Sequence, residues 1–287
     1  MKPSDLIVNP DGSVYHLKLR PEELPDLVLV VGDPGRVGMV SAHFDHIEFK
    51  KQNREFVSHA GMLKGRRLMA LSTGIGPDNI DIVMNELDAL ANIDLEKREI
   101  RSVHRTLSII RLGTTGTLHA DIPTGGFALA SHGLGLDGSL NYYRELDQVK
   151  DHELSLEFIR QTGWPAFLGA PYIIPGTPSL IDNLSGKAIT GITATGAGFY
   201  GPQGRELRLG LAFPEMLDKM TQFIHNGHRI INIEMETSSL YGFGRMLGHR
   251  VASICVVLAN RATGEYSGHV KKQTESLISY VMEKLLP

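Results

Sequence analysis

The chain alternates between two hydrophobic periods. Leu27-Val28-Leu29-Val30-Val31 is an unbroken apolar run, the pattern of a strand covered on both faces. It ends in Gly32-Asp33-Pro34-Gly35-Arg36. Leu68 to Leu71 repeats the pattern and runs into Ser72-Thr73-Gly74-Ile75-Gly76. Pro77 then opens a helix with Ile80, Val83, Met84, Leu87 and Leu90 on one face. Leu107 to Leu112 predicts a third strand, ending in a Gly113-Thr114-Thr115-Gly116 loop. Ala188 to Thr195 predicts a Thr/Ile-rich strand before a glycine-rich loop. Pro214 opens a second helix, with Met216, Leu217, Met220, Phe223 and Ile224 on one side and Gly227 at its end. Ile230 to Ile233 and Val251 to Leu258 read as strands, and Val270 to Leu285 as a closing helix.

Strands alternating with helices define an α/β protein. No low-complexity linker interrupts residues 1–287, so a single domain is expected. The charged stretch Asp94 to Arg105 reads as a solvated surface insertion.

Composition narrows the function classes. Apolar residues make up 42% and charged residues 21%, enough for a large core. The net charge of −3, from 29 basic and 32 acidic residues, gives no broad basic field, so nucleic acid is not an expected partner. The one cysteine, Cys255, excludes an internal disulfide and fits a reducing compartment. No apolar run approaches the ~20 residues of a membrane helix, and the N-terminus has no signal-peptide core. A soluble cytoplasmic protein without a membrane partner is expected. His43-x-x-His46 and His225-x-x-His228 lack the glutamate of a zinc helix, so no metal is expected.

Ligands of α/β sheets bind beyond the carboxyl ends of strands. Gly32 and Arg36 stand at one such end, Arg111 and Thr114 at another. Glycine admits an anion to the backbone, and arginine offers it a planar fork of donors. For each arginine alone, a helix cap or surface pair at Arg36 and a structural ion pair at Arg111 are the first readings, and the coincidence of both with Gly/Thr loops is what brings a shared anion level with them. Glu234-Met235-Glu236 can hold sugar hydroxyls beneath an apolar methionine, or Glu236 can sit at a helix start. In Phe199-Tyr200-Gly201-Pro202-Gln203-Gly204-Arg205, an amide, a guanidinium and an aromatic ring suit the edge and face of a flat heterocycle, or a solvated turn. Gly196 to Gly201 fits G-x-G-x-x-G, but Pro202 and a polar Gln-Gly-Arg follow where a dinucleotide fold needs a helix. Cys255 lies in an apolar strand and reads as inert core.

Together these residues resemble the nucleoside phosphorylase I family, with matches in order from His16 to Arg261. The Phe199 to Arg205 segment is similar to the uracil-reading loop of its pyrimidine branch, the uridine phosphorylases. Asn260-Arg261 stands where purine members carry an aspartate. The resemblance implies a central mixed, twisted β-sheet flanked by helices, and reversible phosphorolysis of uridine to uracil and ribose 1-phosphate in pyrimidine salvage. It implies no cofactor beyond inorganic phosphate as co-substrate.

The roles it implies are specific. Gly32, Arg36, Arg111 and Thr114 would bind phosphate, with Arg54 reaching in from a neighbouring subunit. His16 would touch the ribose 5′-hydroxyl across the same interface. Glu236 would hold the 2′ and 3′ hydroxyls over Met235, with Thr114, Gly116 and Glu234 also at the nucleoside. Gln203 and Arg205 would bind the uracil edge, Phe199 would pack near the base, and Arg261 would support the base loop. Arg36, Arg111, Gln203, Arg205 and Glu236 would be the catalytic set. The assembly would be at least a homodimer, up to a hexamer built as a trimer of dimers, and a monovalent cation near Glu55 is left open. Two departures stand out: Ile75-Gly76-Pro77-Asp78-Asn79 lacks the Gly-Pro-Ser common in bacterial members, and the 92–105 segment is long and charged. The alternatives are a phosphorylase or nucleosidase for deoxyuridine, thymidine or a purine nucleoside, a dinucleotide-binding oxidoreductase, and a silent nucleoside-binding subunit.

Overall fold

A computed structural model describes residues 1–285. Its first strand, β1 (Leu27–Val31), is buried along its whole length. Leu27, Leu29 and Val31 pack on one side with Val37 and Val40 of α1 (Pro34–Ser41). Val28 and Val30 pack on the other. The unbroken apolar run thus marks a strand between two layers of helices. Asp33 caps α1, accepting from the Gly35 N–H at 2.8 Å, with Pro34 in the first turn.

Next come β2 (His46–Asn53), β3 (Phe56–Leu63) and β4 (Arg66–Ser72). The first two carry no apolar run, which is why periodicity overlooks them. They form an antiparallel extension at one sheet edge, where alternate side chains meet solvent. α2 (Pro77–Asn92) matches the expected helix and buries Ile80, Val83, Met84, Leu87 and Leu90. Each such buried side chain contributes about 1.5–3 kcal/mol of apolar burial. The charged segment folds into a small hairpin, β5 (Ile93–Asp94) with β6 (Glu99–Ile100). It lies at the surface, as expected, and Arg105 ties it down through Asp26 at 2.5 Å and the Leu24 carbonyl at 2.6 Å.

β7 (Ser108–Thr117) runs through the expected loop. Thr114 and Thr115 stay paired with β13 (Arg250–Asn260), so Arg111 and Thr114 project from within a strand rather than from its end. β8 (Phe127–Gly135), α3 (Leu146–Val149), α4 (His152–Thr162), β9 (Tyr172–Pro175), α5 (Pro178–Leu184) and β10 (Ala188–Thr195) follow. The helix expected from Pro214 is shorter: α6 spans Met216–Gln222. Ile224 is exposed, and β11 (Ile224–His225) pairs with β12 (His228–Glu234). Asn226 and Gly227 both adopt positive φ, 48° and 79°. The Asn-Gly hairpin turn overrides the helical spacing here. α7 (Thr237–Met246), β14 (Glu265–Tyr266) and α8 (Val270–Leu285) complete the described chain.

The main sheet has the order β11-β12-β10-β8-β13-β7-β1-β4-β3-β2, with parallel and antiparallel neighbours. β12 also pairs with β7 through Ile233 and Gly116, which closes β12, β10, β8, β13 and β7 into a ring. The fold is therefore α/β, with a large mixed sheet flanked by helices. The ring brings the ends of β10 and β12 beside the C-terminal end of β7. No described helix is long and apolar enough to cross a membrane.

Candidate active site

A cavity of about 310 Å³ opens where β1, β7, β12 and the loop after β10 meet. Gly32 and Arg36 come from the β1 end, and Arg111, Thr114 and Gly116 from β7. Glu234, Met235 and Glu236 come from the β12–α7 junction, and Phe199, Gln203 and Arg205 from the glycine-rich loop. Sequence separations of more than 200 residues collapse into this one concavity.

Arg111 is its electrostatic centre. The side chain is buried, with Nη1 3.0 Å from Glu234 Oε2 and Nη2 bonded to Glu236 Oε2. Nη1 also donates to Cys255 Sγ at 3.1 Å. Burial disfavours the charge, but Glu234 and Glu236 outweigh it and hold the guanidinium more firmly protonated than usual. The glycine at 113 makes this placement possible: a Cβ there would lie 2.0 Å from Nη1 and 2.6 Å from Cys255 Sγ. Arg111 Nε, also buried, has no acceptor among the described residues. A buried unpartnered donor is costly, and an incoming anion would satisfy it.

Arg36 is less well neutralised. Its closest carboxylate is Asp33, exposed and 3.8 Å away. Burial and the repulsion of Arg111 pull its pKa below the ordinary arginine value. Two cations repelling each other in a shielded wall favour a shared anion.

Glu234 turns out to be a brace. It accepts from Thr195 Oγ1 at 2.8 Å, and from the backbone N–H groups of Glu236 and Thr237 at 3.0 Å. With Arg111 it has four partners, all inside the fold, so what it gives the cavity is the position of its neighbours. Glu236 begins α7 and accepts from the Gly76 N–H at 2.8 Å. Burial pushes its carboxyl above the usual range and Glu234 adds to this, while Arg111 opposes. Gly76, with φ of 101°, lies in the turn before α2, which starts at Pro77 after it. That turn therefore steers Glu236.

The Phe199–Arg205 loop is held by its own hydrogen bonds. Arg205 Nη1 donates to Gln203 Oε1 at 2.6 Å and to the Phe199 carbonyl at 2.5 Å. Gln203 Nε2 donates to the Glu234 carbonyl at 3.4 Å, fixing which end of the amide is which. The Arg205 guanidinium lies 3.9 Å from the Phe199 ring centroid, so that ring stacks on the arginine. Burial and Arg261 pull the Arg205 pKa down to about 10, and it keeps its charge at neutral pH. Arg261 lies behind the cavity, donating to the Gln203 carbonyl at 3.1 Å and that of Gly204 at 3.4 Å. Gly196 to Gly201 leads into a single 3-10 turn, without the helix of a dinucleotide site. Burial pushes the Cys255 thiol up to about 11, so it is no nucleophile at neutral pH.

His16 and Arg54 do not line this cavity. They stand together elsewhere: Asn53 Nδ2 donates to the His16 carbonyl at 2.8 Å, and Arg54 lies 5.8 Å from the Tyr15 ring centroid. Sequence reasoning missed Ile75 and Tyr266, which line the cavity while being 66% and 69% exposed. Large apolar side chains at a polar rim were the available signal. No group of three or more potential metal ligands occurs among the described residues.

The comparisons agree with this geometry. A solved nucleoside phosphorylase from Trypanosoma brucei, described as showing uridine phosphorylase activity, superposes with a TM-score of 0.87 at 30% identity, covering 98% of this chain and 99% of that one. A uridine phosphorylase from Thermococcus kodakarensis is 29% identical over 96% of this chain and 87% of its own length. One from Haemophilus influenzae is 26% identical over 94% of this chain and 96% of its own. The family model of the phosphorylase superfamily matches residues 26–284, and the chain belongs to that superfamily.

Proposed function

We infer that this chain is a pentosyltransferase that splits uridine with inorganic phosphate, giving uracil and ribose 1-phosphate, and runs in both directions. One observation carries the reading: the cavity that holds Arg36 and Arg111 also holds the Gln203–Arg205 couple and Glu236. Phosphate rests against Arg36, the unpartnered Arg111 Nε, Gly32 and Thr114. Glu236 takes ribose hydroxyls over Met235, and Gly116 lets the sugar approach β7. A phosphate oxygen bonds to C1′ as the C1′–N1 bond breaks, and the electron pair leaves with uracil. Negative charge spreads over the uracil oxygens, where Arg205 and Gln203 donate. The uracil anion takes up a proton at N1 from solvent, and the proton that hydrogen phosphate gives up to solvent on becoming the ester closes the balance. Positioning and preset donors do the catalysis, with no cofactor.

His16 and Arg54 serve a neighbouring copy, so the working unit is at least a homodimer and its full form a trimer of dimers. We read residues 1–287 as one catalytic domain and place its work in pyrimidine salvage in the cytoplasm, where the lone unpaired Cys255 suits reducing conditions.

Uridine, thymidine and inosine, each with and without phosphate, test the reading by base release. Uracil is expected only with phosphate, and uridine is expected to react fastest. Release in phosphate-free buffer would make the enzyme a hydrolase, and a preference for inosine would overturn the base assignment.

A further inference from the structure

α2 buries an acid that the chemistry above does not use. The Glu86 side chain is about 10% exposed, and its one ionic partner in the described structure is His16. Both of its oxygens are engaged. Oε1 accepts from the His16 N–H at 2.9 Å and lies 2.6 Å from His16 Nδ1. Oε2 accepts from the Leu17 N–H at 2.8 Å and from the His16 N–H at 3.1 Å. Backbone N–H donors reach both oxygens, an arrangement that suits an ionised carboxylate. The carboxylate can only accept, so Nδ1 must hold the imidazole proton.

The rest of His16 is held just as firmly. Its carbonyl accepts from Asn53, and its ring stands edge-on to Tyr15 at 4.8 Å and to Phe56 at 6.2 Å between centroids. Nε2 makes no hydrogen bond within the described residues, and it is the one polar atom of the ring left to face outward. Such complete restraint of a partly exposed imidazole is more than backbone folding requires.

We propose that Glu86 is a positioning residue: it fixes His16 as the Nδ1–H tautomer and so presents Nε2 as an acceptor for the 5′-hydroxyl of a nucleoside held by the neighbouring copy. The inference rests on the reading that His16 acts across an interface. Glu86 touches no substrate and acts through the ring. Its effect should appear in the recognition of a single hydroxyl and not in the chemical step.

Steady-state kinetics at saturating phosphate test this, with uridine and 5′-deoxyuridine as paired substrates. Glu86→Gln should raise KM for uridine about five- to tenfold, the worth of one hydrogen bond, and leave kcat within about twofold. KM for 5′-deoxyuridine should not change. Glu86→Asp withdraws the carboxylate by one methylene and should give the same selective loss, should the amide variant fail to fold. His16→Ala should reproduce the pattern, and the double variant should be no worse than either single one. If the Glu86 variants weaken both substrates equally while His16→Ala stays selective for uridine, Glu86 is only a structural brace and the proposal fails alone. If His16→Ala itself weakens both equally, the interface reading falls and the proposal with it.

Discussion

Arg111 and Glu236, 125 residues apart in sequence, form a buried ion pair in the wall of the cavity. The other Glu236 oxygen is held by the Gly76 N–H, so the pair joins β7, α7 and the turn before α2. Removing one member of a buried pair leaves a desolvated charge behind, although Glu234 remains beside Arg111. Glu236→Gln should therefore cost about 2–4 kcal/mol in urea denaturation. It should also lower turnover at least a hundredfold, because the amide N–H would face the Gly76 donor. A stable and active variant would show the pair to be dispensable.

Arg205 is held before any base arrives, bonded to Gln203 and the Phe199 carbonyl. Preset donors act where charge develops, and losing one costs about 3 kcal/mol of barrier, or some hundredfold in kcat. Arg205→Ala should show that loss with an unchanged KM for phosphate. Arg261→Ala, which frees the Gln203 and Gly204 carbonyls behind the loop, should give a smaller drop in kcat. Phosphate saturation curves for both variants separate this from a general collapse of the site.

Much of this arrangement is legible in the residue pattern, for identifiable reasons. The apolar run at Leu27–Val31 and the spaced apolar face of Pro77–Asn92 report burial directly, because burial imposes those periods. His46–Asn53 gives no such signal, since an edge strand with alternate solvent-facing residues need not be apolar. Ile224 misleads because it continues a helical spacing into an Asn226-Gly227 hairpin turn. The motifs mark the residues that reach the cavity but not their mutual engagement. Nothing in the spacing of Arg111, Glu234, Glu236 and Cys255 shows that all four meet, or that Glu234 is fully occupied by internal partners. That depends on β12 closing onto β7, a pairing of strands far apart in sequence.

Gly113 offers a test of how closely Arg111 must be seated. A methyl group there would overlap Nη1, since the nearest approach is 2.0 Å. Gly113→Ala should push the guanidinium out of its carboxylate clamp. The expected result is a rise of about tenfold or more in KM for phosphate, in line with 1.4 kcal/mol or more of lost binding. Isothermal titration with phosphate checks it, and an unaltered affinity would show that Arg111 can shift without consequence.

His132 on β8 gives the fold an acid-sensitive point. Its ring stands edge-on to His228 at 4.8 Å, and Asp151 is the nearby group favouring its charge. Burial first, and His228 second, pull its pKa from 6.5 to about 4. The unfolded chain therefore takes up a proton at this position that the folded chain refuses. Stability should fall as pH drops from 6.5 toward 4, and this contribution levels off below that. The loss amounts to about 1–3 kcal/mol, reduced by the part of the ring that stays hydrated. His132→Asn cannot titrate and should lose less stability between pH 7 and pH 4, read from urea midpoints at matched ionic strength.

The separation of Arg54 from the cavity that holds Arg36 makes subunit sharing directly measurable. Arg36→Ala and Arg54→Ala should each be nearly inactive as pure assemblies. In a mixed dimer, the copy with Arg54→Ala keeps its own Arg36 and receives an intact Arg54 from its partner. The other copy lacks both, so one site in two is complete. Random exchange makes half of the dimers mixed, and about a quarter of wild-type activity should return after co-refolding equal amounts. Two cis-acting arginines would give no recovery at any mixing ratio, and activity in a sedimenting monomer would contradict the shared site outright.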